Sequence, residues 1–247
     1  MKASADLIVI GGGPAGATGA LTAAEAGLSV IVLDEGPAPG GQVARAPQTV
    51  AAKTMPPDAD RRLGDDVRAA LAASSVTVLT NTLVWSVSKG FAVHAISGDT
   101  SLALTAPRLL VATGARERIV PFEGWTRPGV LGLAAATALI KRDGMLPGKR
   151  IVVAGQGPLL AAVAAKAVGL SKPPVAMVDL HGTGAWAKAA LGFAAKPGLA
   201  ATGAKWLAKV RAAGVPTFRR HAILSAEGGD DGLEAVQIAP LDDDGEP

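Results

Sequence analysis

The chain has no cysteine and no tyrosine among its 247 residues, and only four phenylalanines and four tryptophans. Zero cysteine excludes disulfides, thiolate metal sites, cysteine nucleophiles and Cys-ligated iron–sulfur clusters within these residues. Dithiol–disulfide exchange is excluded as well, because the paired-thiol step needs cysteines. The small aromatic surface offers few platforms for stacking bases, which argues against nucleic acid. Charge of one sign is also scarce: 24 Lys and Arg stand against 21 Asp and Glu, a net +3. With 49% apolar residues the chain is not disordered. Its length fits one large domain or two smaller ones.

A long hydrophobic run is present but broken. Residues 7–24 carry no charge, close to bilayer-spanning length, and Met1-Lys2 before them mimics a signal peptide. Gly11, Gly12, Gly13, Pro14, Gly16 and Gly19 interrupt the run, which reads as strand, glycine turn and helix. No transmembrane segment is expected. A cytoplasmic protein is, reaching the inner face of a membrane only through partners.

Residues 6–10 are a β-branched run and read as a buried strand, residues 14–26 as an Ala-rich helix with Pro14 in its first turn, and residues 29–33 as a second buried strand. This strand–helix–strand unit seeds a parallel sheet. Residues 36–57 read as loop and 58–73 as helix. Short strands follow at 76–80, 83–87, 91–96, 101–105 and 107–113, with glycine turns at Gly90 and Gly98. A second such unit covers a strand at 150–154, a helix at 158–168 and a strand at 175–178. Its glycine turn lies 144 residues after the first, from Gly11 to Gly155. Residues 184–213 read as helical, and 217–226 with 233–239 as a hairpin.

The first glycine turn has the spacing of a dinucleotide loop, Gly11-x-Gly13-x-x-Gly16. Gly11 permits the tight turn, Gly13 lets the backbone approach a pyrophosphate, and Gly16 lets helix pack on strand. The pyrophosphate meets free N–H groups and the positive end of the helix dipole. Asp34 lies 23 residues after Gly11, placed to bind a ribose hydroxyl, and Glu35 follows it. An acid there favours FAD or NAD over NADP.

Three stretches carry a family resemblance. They are Gly11-Gly12-Gly13-Pro14-Ala15-Gly16, then Asp34-Glu35 with Gly40-Gly41-Gln42, then Ala112-Thr113-Gly114-Ala115-Arg116. They resemble the two-dinucleotide-domain flavoproteins related to thioredoxin reductase. The stretch Pro121-Phe122-Glu123-Gly124-Trp125, with Pro128-Gly129-Val130, Leu146-Pro147-Gly148 and Gly155-x-Gly157-Pro158-Leu159-Leu160, is more particular. It is similar to the FAD-containing alpha subunits of opine oxidase, hydrogen cyanide synthase and D-hydroxyproline dehydrogenase complexes. The resemblance covers residues 5–247. It implies an α/β fold of two Rossmann-like three-layer domains, the second inserted in the first: an FAD-binding part over 1–118 and a second dinucleotide-type domain over 119–247.

The resemblance also implies site residues. Gly11, Gly13, Pro14, Ala15 and Gly16 would hold the FAD pyrophosphate, and Asp34, or else Glu35, the adenosine ribose. Gly41 and Gln42 would line the flavin side, Val84 would present backbone to the adenine, and Ala112, Thr113 and Gly114 would close over the cofactor. In relatives the chain returns to complete the FAD domain. This sequence stops after a hairpin of the second domain, so a truncated chain is expected, with an exposed sheet edge.

The second loop departs from the pattern. Gly155 and Gly157 keep the first two glycines and Asp179 stands 24 residues on, but Leu160 replaces the third glycine. Leucine there pushes the helix off the strand or the ligand out of its groove. NAD(P) therefore stays an open alternative rather than an expected cofactor.

No side chain is an obvious acid or base. His94, His181 and His221 lack evident partners, and Trp85, Trp125, Trp186 and Trp206 read as packing anchors. Hydride and electron chemistry would be carried by the flavin, which the protein positions and tunes. The expected protein is an FAD-binding subunit of an amino-acid- or opine-type dehydrogenase, working on a small amine with a second flavoprotein (beta) subunit. A self-contained NAD(P)H-dependent reductase and a non-catalytic remnant are the alternatives.

Overall fold

The computed structural model describes residues 2–182, 184, 192, 197–229 and 232–245. The chain forms two compact units, Met1–Arg116 with Ile140–Met145, and Glu117–Leu139 with Leu146–Pro247. Both are α/β.

The first unit contains β1 (Lys2–Ser4), β2 (Leu7–Ile10), α1 (Pro14–Glu25), β3 (Val30–Leu33), α2 (Val50–Thr54), α3 (Ala59–Ala72), β4 (Thr77–Leu79), β5 (Thr82–Ser88), β6 (Ala92–Ser97), β7 (Thr100–Thr105) and β8 (Leu109–Val111). Strands β4, β3, β2 and β8 form an all-parallel sheet in that order. Its sides differ because side chains alternate along a strand. Val9, Val30 and Val32 face the helices, packing with Ala17, Ala20 and Leu71. Ile8, Ile31 and Leu33 face the other way, packing with Val93, Ala95, Leu102 and Leu104 of the second sheet, whose order is β1-β7-β6-β5. Covering on both sides explains why all four residues of β3 are apolar and buried. At the start of the parallel sheet Asp6 accepts bonds from the Ser29 amide (2.9 Å) and hydroxyl (2.6 Å). These bonds hold its carboxyl below the usual carboxylate range. The clamp is therefore in place at neutral pH and is lost as pH falls through that lowered value.

The loop expected over 36–57 contains one short helix, α2, capped by Thr49, whose hydroxyl accepts the Ala52 N–H. This region is covered by residues 140–145. Leu139–Asp143 form a π-helical turn. Lys141 Nζ reaches the Val43 carbonyl (2.6 Å) and the Asp60 carboxylate (2.8 Å), Thr49 Oγ1 donates to the Asp143 carbonyl (2.7 Å), and Ile140 is fully buried.

The second unit contains α4 (Leu133–Ala138), β9 (Val152–Gly155), α5 (Pro158–Gly169), β10 (Ala176–Asp179), α6 (Pro197–Ala212), β11 (Thr217–Arg219), β12 (His221–Glu227) and β13 (Ala235–Pro240). Strands β11, β10 and β9 form a parallel sheet, and β12 pairs antiparallel with β13. The strand expected over 217–226 is two strands. Arg220 takes φ +53°, a left-handed conformation that ends β11 before β12 starts. Of the expected helix over 184–213, α6 is seen, and much of the stretch before it lies outside the described residues. Among the described residues no helix is long and apolar enough to cross a membrane.

Candidate functional site

The glycine loop between β2 and α1 is built by close backbone approach. Gly11 has φ +102°, and a Cβ on it would fall 2.3 Å from the Ala112 carbonyl oxygen. A Cβ on Gly16 would fall 1.9 Å from the Gly11 carbonyl oxygen. Neither neighbour can move aside, since both are backbone. Gly13 caps α1 with extended backbone and no side-chain bond, and Pro14 follows at the first helical position. The first amides of a helix have no intrahelical carbonyl, so those of Ala15 and Gly16 form the anion-facing end of α1.

A second glycine turn lies against the first. The Gly40 N–H donates to the Gly12 carbonyl (2.9 Å), and a Cβ on Gly41 would stand 3.0 Å from Gly13 Cα. Gln42 is exposed, its Oε1 accepting from Arg45 (2.9 Å). Ala112 closes the other side, its N–H donating to the Ile10 carbonyl (2.8 Å). Thr113 and Gly114 are exposed beyond it, with Gly114 at φ +75°.

Asp34 is the hub of this site. It is buried at the end of β3, while Glu35 is exposed. One carboxylate oxygen accepts the Gly12 N–H (2.6 Å) and the other the Gly36 N–H (2.7 Å). A carboxylate has about four acceptor sites, so both oxygens keep capacity for ribose hydroxyls. The Asp34 carbonyl accepts the Thr82 N–H (2.9 Å), which starts β5 beside the acid. Val84, two residues on, is half-buried and packs its side chain into the core. The loop, Gly41, Asp34 and Ala112 thus converge, and the glycines leave open what side chains would fill. These residues fit a dinucleotide pyrophosphate and ribose. The spacing does not single out Gly12, although its amide bonds Asp34 and a Cβ there would meet that carboxylate at 2.7 Å.

The second loop is different. Gly155 (φ +144°) and Gly157 (φ +82°) need glycine for their backbone, yet a Cβ on either would meet nothing within 4 Å. Asp179 is buried at the end of β10 and accepts the His181 N–H (2.9 Å). Leu160 stands where the first loop has Gly16, and its side chain turns into the core. It is 1% exposed and packs with Val153, Val163 and Met177. Leu160→Ala is therefore expected to lower the unfolding free energy by about 2–5 kcal/mol, read by urea denaturation. Unchanged stability would mean that this side chain is not part of the core.

The tryptophans and His221 are not among the first loop's residues. Trp85 is no packing anchor: it is 64% exposed, because odd-numbered residues of β5 point outward, and it lies against the His94 ring at 5.4 Å. Trp125 is 38% exposed. Trp206 packs on the second-unit core, and Trp186 lies outside the described residues. His221 Nδ1 lies 2.7 Å from the Arg219 carbonyl, a structural contact. Among the described residues no cluster of His, Asp and Glu could hold a metal.

Residues 5–183 match the family described as pyridine nucleotide-disulphide oxidoreductase. The chain belongs to that family. That is a family of oxidoreductases that use FAD and NAD(P). The family's disulphide chemistry has no thiols within these 247 residues. An opine oxidase subunit of Rhizobium meliloti (strain 1021) is 35% identical over 235 residues, 93% of this chain and 51% of that protein. Hydrogen cyanide synthase subunit HcnB of Pseudomonas protegens is 29% identical over 255 residues, 97% of this chain and 52% of that protein. The chain thus spans about half the length of these two relatives. Among solved structures, T. acidophilum thioredoxin reductase superposes with a TM-score of 0.63 at 17% identity, over 95% of this chain and 70% of that one. L-proline dehydrogenase from P. horikoshii gives 0.59 at 19% identity, over 98% and 40%. These likenesses show the fold, two-dinucleotide-domain and Rossmann-like.

Proposed function

We propose that the first unit holds FAD and that the chain serves as the flavin-binding part of an oxidoreductase subunit working on a small amine or amino-acid-like substrate. The observation that carries this is the convergence of two glycine turns and a strand end on the start of α1, with Asp34 buried beside them. Gly11, Gly13, Pro14, Ala15 and Gly16 receive the pyrophosphate. Asp34 takes the adenosine ribose, and Glu35, exposed beside it, serves only if Asp34 does not. Val84 backs the adenine, Gly41 and Gln42 border the flavin, and Ala112, Thr113 and Gly114 lie over the cofactor. Bound flavin supplies hydride and electron transfer. The chain's own residues hold and orient it. Among the described residues of the first unit, Asp34 is the ionisable side chain bonded to the loop, and its oxygens already accept backbone N–H groups.

A partner flavoprotein subunit is part of this reading. Two relatives are named as subunits of an oxidase and a synthase, and others as the alpha subunit of sarcosine oxidase. NAD(P) is a weaker second ligand here, because Gly155, Gly157 and Asp179 lack the crowded cradle of the first loop. The test is to titrate FAD into the protein and then mix the loaded protein with NADH. Stoichiometric FAD that NADH does not bleach, and that an amine reduces only when the co-purifying subunit is present, is the expected result. Bleaching by NADH alone would favour a self-contained reductase. Failure to take FAD at all would leave a non-catalytic remnant.

A further inference from the structure

Arg68 lies in the second half of α3 and belongs to no recognised motif. Its Nη1 donates to two carbonyls, those of Pro39 (2.8 Å) and Ala44 (3.0 Å), and its Nη2 donates to Asp65 Oδ1 (2.7 Å). Pro39 and Ala44 bracket the turn Gly40-Gly41-Gln42, which is itself closed by the Ala44 N–H donating to the Gly40 carbonyl (3.0 Å). Room for the guanidinium is made by two glycines on separate segments. A Cβ on Gly40 would come 2.2 Å from the Ala44 oxygen and 2.9 Å from Arg68 Nη1. A Cβ on Gly64, one helical turn before Arg68, would come 2.3 Å and 2.9 Å from the same two atoms.

The contacts form a continuous path. Arg68 holds both ends of the turn, Gly40 holds the Gly12 carbonyl, and Gly41 lies on Gly13. An exposed i,i+3 ion pair with Asp65 contributes little by itself. The side chain is only 20% exposed, however, and a planar fork reaching two carbonyls and a carboxylate cannot be copied by a single ammonium. The geometry points to Arg68 as a positioning residue that fixes the Gly40-Gly41-Gln42 turn against the pyrophosphate loop, and thereby sets FAD affinity and the flavin environment without touching the cofactor. This rests on the reading of the first unit as the FAD site.

The test compares Arg68→Met, Arg68→Lys and a control, Arg62→Met, on the same helix. Arg62 donates to the Pro57 carbonyl and does not reach the turn. Hydrogen exchange over residues 40–44 is followed in the cofactor-free protein, FAD affinity by flavin fluorescence, and the flavin environment by visible circular dichroism. Arg68→Met is expected to speed exchange at Gly40 and Ala44, whose N–H groups donate to the Gly12 and Gly40 carbonyls, and to weaken FAD about tenfold or more, with altered flavin bands. Arg68→Lys should recover part of each, and Arg62→Met should change none. Unaltered exchange, affinity and flavin bands in Arg68→Met overturn the inference. If Arg68→Met does not fold, Arg68→Lys decides by the same readouts. If the unsubstituted protein takes no FAD, the FAD reading fails, while exchange in the cofactor-free protein still decides whether Arg68 holds the turn.

Discussion

Replacing Gly13 with alanine is expected to strip the protein of FAD and leave its fold intact. The backbone at Gly13 is extended (φ −69°, ψ 178°), which any residue adopts. The nearest atom a Cβ would meet is Gly41 Cα at 3.8 Å, an ordinary contact. Folding therefore has no reason to change. The cofactor does, because the added methyl occupies the line along which a pyrophosphate approaches the first amides of α1. Losing one or two charge-assisted bonds there removes about 2–4 kcal/mol, or roughly 30- to 1000-fold in affinity. Gly16→Ala is the contrasting variant. Its Cβ would lie 1.9 Å from the Gly11 carbonyl oxygen, so it should damage the loop itself and depress thermal stability even without cofactor. Equal losses of stability in the two variants would show that Gly13 serves the fold and not a ligand.

Asp34→Ala should be felt in both folding and binding. The side chain is 7% exposed and accepts two backbone N–H groups from different segments, Gly12 and Gly36. Removing it leaves both donors without their acceptor, at about 1–3 kcal/mol each. The unfolding free energy of the cofactor-free protein in urea should therefore drop by about 2–6 kcal/mol. Asp34→Asn keeps the shape but turns one acceptor into a donor facing an N–H, so its stability should fall between that of Asp34→Ala and that of the unsubstituted protein. FAD affinity should fall further than either stability change alone implies, since the ribose loses its acceptor. An alanine variant as stable as the unsubstituted protein would refute the hub role. One that is destabilised yet binds FAD unchanged would move the ribose contact elsewhere, to Glu35 first.

What is legible in the sequence follows from short-range physics. Leu7–Ile10 and Val30–Leu33 are apolar without interruption because both faces of a parallel sheet are covered, and Gly11 and Gly16 stand where a turn and a close packing contact need them. What escapes it depends on distant partners. Lys2–Ser4 has no strand composition and becomes β1 by pairing with Ala103–Thr105. Arg68 reads as a solvated helix cation, since nothing local says that its guanidinium bonds carbonyls 24 and 29 residues earlier. That Leu160 turns into the second-unit core also escapes the sequence, because spacing does not tell which way a side chain turns. The outward face of β5, with Leu83, Trp85 and Val87 exposed, is hidden for the same reason.

The segment Ile140–Met145 has a bearing on the order in which the chain takes shape. The first unit runs to Arg116 and is finished only when residues 140–145 come back to it. Twenty-nine further residues must be made before Met145 exists, which at ordinary synthesis rates is about 1.5–6 s. For that time the carbonyl of Val43 lacks its ammonium and the bed of Ile140 is open, on the region that leads into the Gly40-Gly41 turn. The Gly40-Gly41 turn is therefore among the last parts of the first unit to set. A nascent chain arrested before residue 140 should expose it to protease, whereas one arrested well beyond 145 should protect it.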